Sequence, residues 1–232
     1  MFLGHYGVAL ALKRAEQKVS LGTLFLAVQL ADLLWGIFLL LGWEHARVVP
    51  GLTQVNSLEF LDYPLSHSLV AAVAWGVAGA AIYYSWPTRD THRHWQAAAV
   101  VGVAIFSHWP LDALVHLPDL PLDGDGSPRI GLGLWNHFGA TVVVELLFLA
   151  IGVAVYTTSR SARRPLRPAR LSLVTIMLVG VYAVSIFGPP PPSMRAVAVS
   201  DIIFLLLMTG LAAWADQRAT PEEIAAARPG TR

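Results

Sequence analysis

Several ionisable side chains lie inside long apolar segments of this sequence, where such groups are costly and usually mark a function or a buried pair, and four of them could form one site. They are Asp32, His67, His108 and Asp112. The last two belong to the segment Ser107-His-Trp-Pro-Leu-Asp-Ala-Leu-Val-His116, in which a spacing of four places both histidines and the aspartate on one helix face. Pro110 lies between the first two and is expected to loosen the helix and free a backbone carbonyl near them.

Imidazole and carboxylate groups together suit a divalent cation such as Zn²⁺, Mn²⁺ or Fe²⁺, and they do not suit copper(I) or an iron–sulfur cluster. The sequence contains no Cys, which excludes thiolate ligands. A cation held by such groups can activate water and polarise a phosphoryl or carbonyl oxygen. We therefore predict a divalent-metal site, with zinc the first choice ahead of manganese or iron. Its predicted ligands are Asp32, His67, His108 and Asp112. The alternative is a buried His–Asp pair that only stabilises the helix bundle.

Two further histidines are candidates for the catalytic groups. His5 precedes Lys13 by eight residues, so an N-terminal helix that enters the membrane would raise it toward the other ligands. His116 lies on the same helix face as His108, close to the end of the apolar segment. Either histidine would complete the ligand shell or orient water. Three other ionisable residues lie in apolar segments and are expected mainly to pair within the bundle: His137, Glu145 and Asp201.

The composition is that of an integral membrane protein. Of 232 residues, 55% are hydrophobic and 13% are charged, with a mean hydropathy of +0.57, whereas soluble domains carry about 25% charged residues. The net charge of +1 provides no basic surface, so no nucleic-acid partner is expected. We expect membrane lipids as the surroundings of the chain.

Six apolar segments have about the length that a helix needs to cross the ~30 Å hydrocarbon core. They are Ser20–Trp43, Leu65–Trp86, Trp95–Leu117, Gly131–Tyr156, Arg170–Phe187 and Ala196–Asp216. Met1–Leu12 is apolar but too short to span, and it predicts a short amphipathic or half-inserted helix. The predicted fold is therefore all-α and polytopic, with about six transmembrane helices in one domain over residues 1–216 and a polar cytoplasmic tail over 217–232. The stripe Ala72, Gly76 and Ala80 is suited to close helix packing.

The distribution of positive charge predicts the orientation. Of the sixteen Lys and Arg residues, all but Arg47, Arg129 and Arg195 lie on one side of the six-span topology. This side is predicted to be cytoplasmic and to hold both termini, as in a protein of a bacterial inner membrane. Six aromatic residues are expected at the membrane interfaces: Trp43, Tyr63, Tyr83, Tyr84, Trp86 and Trp95.

The order of these residues resembles that in the membrane-bound metal-dependent hydrolases, a family typified by a LexA-regulated bacterial inner-membrane protein. The resemblance rests on His5, Asp32, Ser66-His67-Ser68-Leu69 and Ser107-His108-x-x-x-Asp112, within residues 1–120. The order is also distantly similar to the ligand order of zinc-dependent phospholipase C. The resemblance implies hydrolysis of a phosphoester, including a lipid, with the four predicted ligands as the shared metal site in the outer half of the membrane. The chain departs from these patterns, because Asp32 lacks a Pro-Asp-x-Asp setting and His137 is followed by Thr141 where the phospholipase has His-x-x-x-Glu. A full three-metal site is therefore not expected.

Other functions remain open at this point. A proton- or ion-coupled transporter would use Asp32, Glu145 and Asp201 as a proton relay. Six spans show no visible inverted repeat, although a homo-oligomer could supply the second half. A haem protein would pair histidines across helices, and a scaffold would use none of these residues chemically.

Overall fold

The structure is a computed structural model that describes residues 1–87, 94–124, 126–158 and 168–217. These residues are mostly helical. The helices are α1 (Leu3–Ala15), α2 (Leu21–Val28), α3 (Leu30–Leu41), α4 (Pro64–His67), α5 (Leu69–Ser85), α6 (His94–Phe106), α7 (His108–Val115), α8 (Phe138–Thr157), α9 (Pro168–Phe187) and α10 (Met194–Ala215). Two short antiparallel hairpins pair β1 (His45–Val48) with β2 (Leu58–Asp62), and β3 (Leu120–Pro121) with β4 (Arg129–Ile130).

Several helices are long and apolar enough to cross a membrane, which supports membrane integration. Four spans meet this condition: His94–Val115, which joins α6 and α7, and the helices α8, α9 and α10. A fifth is formed if α2 and α3 are taken together, although they meet at an angle of 55°. Six spans are not shown, because the predicted segment Leu65–Trp86 contains only the apolar helix α5, of 17 residues, after the single turn α4. Three segments that hold most of the predicted cytoplasmic charge, 88–93, 159–167 and 218–232, lie outside the described residues, so the orientation and the tail remain predictions.

The predicted boundaries need two corrections around the connections. The fourth span does not begin at Gly131, because residues 134–136 form a 3-10 turn and helix α8 starts at Phe138. The predicted fold is all-α, whereas two of the connections between the predicted spans contain the short β-hairpins. In the first hairpin, Arg47 faces the oppositely charged Glu59 across the strands, and His45 Nδ1 lies 2.8 Å from the Asp62 carboxylate. Such cross-strand pairs favour this register.

Helix α1 packs inside the bundle, which fits a half-inserted helix and does not fit an amphipathic helix lying at the interface. Leu3, His5, Tyr6 and Leu10 are all almost fully buried. The close approach of α1 to α8 requires glycine on both sides, because a Cβ at Gly7 would clash with the Phe148 backbone. A Cβ at Gly152 would in turn clash with the backbone of Gly7. The helix that carries His5 is thereby fixed against α8.

Helices α5 and α6 cross closely through the small-residue stripe. A Cβ at Gly76 would lie 3.1 Å from the Gly102 carbonyl oxygen, and one at Gly102 would lie 3.1 Å from the Ala80 Cβ. The predicted packing role of Gly76 and Ala80 is therefore confirmed. This contact fixes α6, and hence the segment that continues into α7, against the helix that follows His67.

Candidate metal centre

The four predicted ligands lie close together between α3, α4 and α7. His108 Nε2 lies 3.0 Å from Asp112 Oδ2 and 3.6 Å from Asp32 Oδ1. His67 Nε2 lies 3.3 Å from the same Asp32 oxygen and 3.8 Å from Asp112 Oδ2. The side chains of His67, His108 and Asp112 are almost fully buried, whereas that of Asp32 is 27% exposed. Residues separated by up to 80 positions in the chain thus form one cluster, which we call the His–Asp cluster.

Two overlapping triads in this cluster could hold a metal ion. One consists of His67, His108 and Asp112, and the other of His5, Asp32 and His108, each with its ligand atoms within 4.8 Å of one another. Zinc binds nitrogen and oxygen ligands at about 2.0–2.2 Å, so neighbouring ligands of a tetrahedral ion lie about 3.3–3.6 Å apart. The four measured distances, 3.0–3.8 Å, centre on this value. The residues therefore fit a divalent cation.

A break between α2 and α3 prepares His108 to be a ligand. In an uninterrupted helix the carbonyl of Val28 would accept the amide of Asp32, four residues later. The chain turns by 55° at Gln29, and the Val28 carbonyl instead accepts a hydrogen bond from His108 Nδ1, at 2.7 Å. Because Nδ1 donates its proton outward, the neutral ring has its lone pair on Nε2. That buried atom makes no hydrogen bond and faces the two carboxylates, where a cation would satisfy all three groups.

His67 is held in the same way by two residues that precede it. Its Nδ1 lies 2.7 Å from Ser66 Oγ, and Ser66 Oγ in turn donates to Glu44 Oε2 at 2.6 Å. The local sequence sets this position: Pro64 begins the single turn of α4, and the extended Ser68 ends it and caps α5. Sequence reasoning missed Glu44, because it lies in a connection and carries no motif.

His116, one of the two catalytic candidates, also lies against the cluster. Its Nδ1 is 3.0 Å from Asp119 Oδ1, and its Nε2 is 3.6 Å from Asp112 Oδ2. Burial lowers the pKa of His116 below its ordinary value, although its hydrogen bond to Asp119 opposes this. Burial therefore favours the neutral ring, and the Asp119 carboxylate orients it.

His5, the other catalytic candidate, contacts the opposite side of Asp112. Its Nε2 lies 3.1 Å from Asp112 Oδ1, and its ring stacks on that of His108 with 4.0 Å between centroids. The buried Nδ1 of His5 has no hydrogen-bond partner. The amino group of Met1 forms an ion pair with Asp112 as well. Both candidates are thus brought to the cluster.

No protein-family model, curated protein or solved structure matches this chain. The assignment of the centre therefore depends on its own geometry.

The other ionisable residues of the apolar segments have different positions. Glu145 accepts hydrogen bonds from the amides of Phe2 and Gly4, at 2.7 and 2.9 Å, and so fixes the start of α1. This is the pairing within the bundle that the sequence led us to expect. His137 is exposed at the start of α8, and Asp201 is half-buried in α10. Neither belongs to the metal-binding groups found among the described residues.

An aromatic cover lies over the His116 side of the cluster. Tyr63 was predicted at the membrane interface, and this is wrong: it is fully buried, and its hydroxyl donates to Asp119 Oδ1 at 3.2 Å. Burial raises the pKa of Tyr63 above its ordinary value. Phe60 of strand β2 packs on Tyr63 and on His116, with ring centroids 5.0 and 4.9 Å apart. The hairpin therefore contributes directly to the site, which the sequence did not indicate.

A pocket of about 260 Å³, counted with its open mouth, adjoins the other side of the cluster. Its polar lining includes His67, His108 and Ser66, and the rest is apolar. The apolar lining consists of Ala31, Ala72, Trp75, Ile105 and Trp109. The surface beside the cluster is thus mostly apolar on this side.

Proposed function

We propose that this chain is an integral-membrane, metal-dependent hydrolase that acts on a phosphoester. One observation carries the proposal: three buried histidines each direct Nδ1 to an outer acceptor and Nε2 to the aspartates of the cluster. Nε2 lies near both Asp32 and Asp112 in two of these histidines, and near Asp112 alone in His116. The acceptors are Ser66 Oγ, the Val28 carbonyl and Asp119 Oδ1. Metal-ligating histidines typically use one ring nitrogen for such a hydrogen bond and the other for the ion.

The proposed roles divide the cluster between holding the ion and moving a proton. Asp32, His67, His108 and Asp112 would hold a divalent cation, zinc being our first choice. Such an ion supplies Lewis acidity, activating water and stabilising negative charge on a phosphoryl oxygen. His116 Nε2 would accept a proton from water, while Asp119 holds the ring in the required orientation. His5, stacked on His108, would complete the shell or orient water.

The surroundings favour a substrate with an apolar part. The cluster lies between apolar helices, and the adjoining pocket is lined largely by apolar side chains. We propose phospholipids as the first substrate class to test, with the site in the outer half of the membrane. The resemblance to the membrane-bound metal-dependent hydrolases supports the same reaction type.

The test combines metal analysis with hydrolysis by detergent-purified protein. Wild type is expected to carry at least one zinc or manganese ion per chain and to release phosphate-containing products from a panel of phospholipids and soluble phosphoesters. His116→Gln is expected to keep the metal and to lose about 10²–10⁴-fold in turnover, as for a general base. The matched control is His45→Gln in the exposed pair with Asp62, which should change neither value. Full metal content with no hydrolysis of any phosphoester would contradict the proposal.

A proton- or ion-coupled transporter is the second candidate. Without a cation, His67 and His108 can each take up a second proton on the nitrogen that faces Asp32 and Asp112, so the cluster can also act as a proton site. Against a longer relay, each Glu145 oxygen already accepts a backbone amide. The transporter predicts pH-dependent ion flux in liposomes and no hydrolysis of phosphoesters.

A further inference from the structure

We infer that Glu44 and Ser66 are positioning residues that hold the imidazole proton of His67 on Nδ1 and so leave Nε2 free to bind metal. The inference rests on the proposed metal centre and assigns a role to two residues outside its ligand set.

The contacts form a chain of hydrogen bonds with one consistent direction. Glu44 binds Ser66 through both carboxylate oxygens: Oε1 accepts the Ser66 amide at 2.8 Å, and Oε2 accepts the hydroxyl at 2.6 Å. The single hydroxyl proton is therefore committed to Glu44. At the 2.7 Å contact with His67 Nδ1, Ser66 Oγ can only accept, so Nδ1 carries the proton.

The groups in this chain of hydrogen bonds are buried, which fixes the direction of each bond. Glu44 and Ser66 are each only 1% exposed, and His67 is 4% exposed, so water does not compete for these bonds. A carboxylate removed from water to this degree requires partners, and Glu44 has them in the Ser66 amide and hydroxyl and in the backbone of Leu65. Glu44 also lies just after α3, the helix that contains Asp32. Its hydrogen bonds to Ser66 therefore connect the end of α3 to α4, and each of these helices supplies a predicted ligand.

An isosteric change at Glu44 should reverse the proton arrangement. In Glu44→Gln the side-chain oxygen must stay on the Ser66 amide, because only an acceptor fits there. The new NH₂ group then faces Ser66 Oγ and donates to it. The hydroxyl proton turns to His67 Nδ1, and the imidazole proton moves to Nε2, where the metal should bind. Ser66→Ala instead removes the acceptor and leaves Nδ1 unpaired.

The first readout is zinc affinity, measured with a competing chelator on the full-length protein in detergent. Glu44→Gln and Ser66→Ala are each expected to weaken zinc binding by about 10–100-fold, the usual effect of removing a partner of a metal-binding histidine. The double variant should lose little more than either single one, because both act through the same proton. Glu59→Gln is the matched control: this carboxylate pairs with Arg47 on the exposed hairpin and should leave affinity unchanged.

The second readout is the position of the proton, from ¹⁵N spectra of histidine-labelled, metal-free protein with the ring neutral. The His67 signals are assigned by difference with His67→Gln. Wild type should show the proton on Nδ1, and Glu44→Gln should show it on Nε2; a structural role alone would not move it. Zinc affinities of both variants within twofold of wild type, or a proton on Nε2 in wild type, would overturn the inference. If wild type binds no zinc, the proposed metal centre fails, and the proton position alone then decides for or against the chain of hydrogen bonds.

Discussion

Replacement of Asp112 by asparagine tests the metal centre most directly. Asp112 lies near more histidines than Asp32, the other carboxylate ligand: its Oδ2 lies 3.0 Å from His108 Nε2 and 3.6 Å from His116 Nε2, and its Oδ1 lies 3.1 Å from His5 Nε2. Asparagine keeps the size of the side chain and one of its oxygens but removes the negative charge. The loss should therefore be electrostatic.

The size of the effect follows from Coulomb's law. Two unit charges 4 Å apart interact by about 4 kcal/mol at an effective dielectric constant of about 20. Because a bound cation would be divalent and closer than 4 Å, this is a low value. At about 1.4 kcal/mol per tenfold change, Asp112→Asn should weaken metal binding by at least about 10³-fold.

The assay pairs mass-spectrometric metal analysis with a chelator-competition titration, and circular dichroism checks that the variant is folded. Asp62→Asn, in the exposed pair with His45, controls for the chemistry of the substitution and should bind metal as wild type does. If folded Asp112→Asn keeps its full metal content with less than a tenfold change in affinity, the assignment of Asp112 as a ligand is wrong.

Three further predictions concern stability. Zinc at 100 times its dissociation constant should stabilise wild type by about 2.7 kcal/mol and raise its melting temperature, whereas Asp112→Asn should show no zinc-dependent shift. Gly7→Ala should lower the free energy of unfolding by about 1–3 kcal/mol in chemical denaturation, because the new Cβ would clash with the Phe148 backbone. Gly139→Ala is the control, since Gly139 lies on α8 with open space around it, and it should not destabilise the fold. Equal effects of the two substitutions would argue against the close crossing of α1 and α8. Burial raises the pKa of Glu44, so the stability that its protonated form contributes is complete below the ordinary glutamate range and is lost as pH rises through the raised pKa. Metal-free Glu44→Gln should therefore gain stability relative to wild type as pH rises above the ordinary glutamate range, and parallel stability curves would contradict this.

Local periodicity explains which parts of the site were predictable. The i, i+4 spacing places His108, Asp112 and His116 on one face whatever the rest of the fold does, and the structure brings all three together. Pro110 also predicted a weak point in this helix. The helix is interrupted at Ser107, next to the backbone carbonyl that lies four residues before the proline and receives no hydrogen bond from it, because proline has no N–H. Apolar length and the absence of charge likewise predicted the long helices.

The remaining parts depend on contacts between distant segments. Glu44 and Phe60 reach the cluster only because a hairpin folds over it, and polar loop composition does not reveal such a hairpin. The break at Gln29 could not be predicted from the local sequence. The segment Leu-Ala-Val-Gln-Leu-Ala contains no Pro or Gly and favours a continuous helix. The bonds that accompany the break are tertiary, from His108 to the Val28 carbonyl and from the Gln29 side chain to the Tyr6 hydroxyl.

The interruption at Gln29 affects how the stability of this protein can be engineered. Usual stabilisation strategies restore hydrogen bonds to a bent helix and straighten it. In this protein, a straightened helix would use the Val28 carbonyl for a hydrogen bond within the helix. His108 Nδ1 would then lose the acceptor that orients its ring. Heat resistance and metal affinity should then change in opposite directions at this one position, as they do where function depends on a locally unfavourable backbone. A selection for thermal tolerance in the absence of metal would therefore favour variants with a straighter, more stable helix and weaker metal binding.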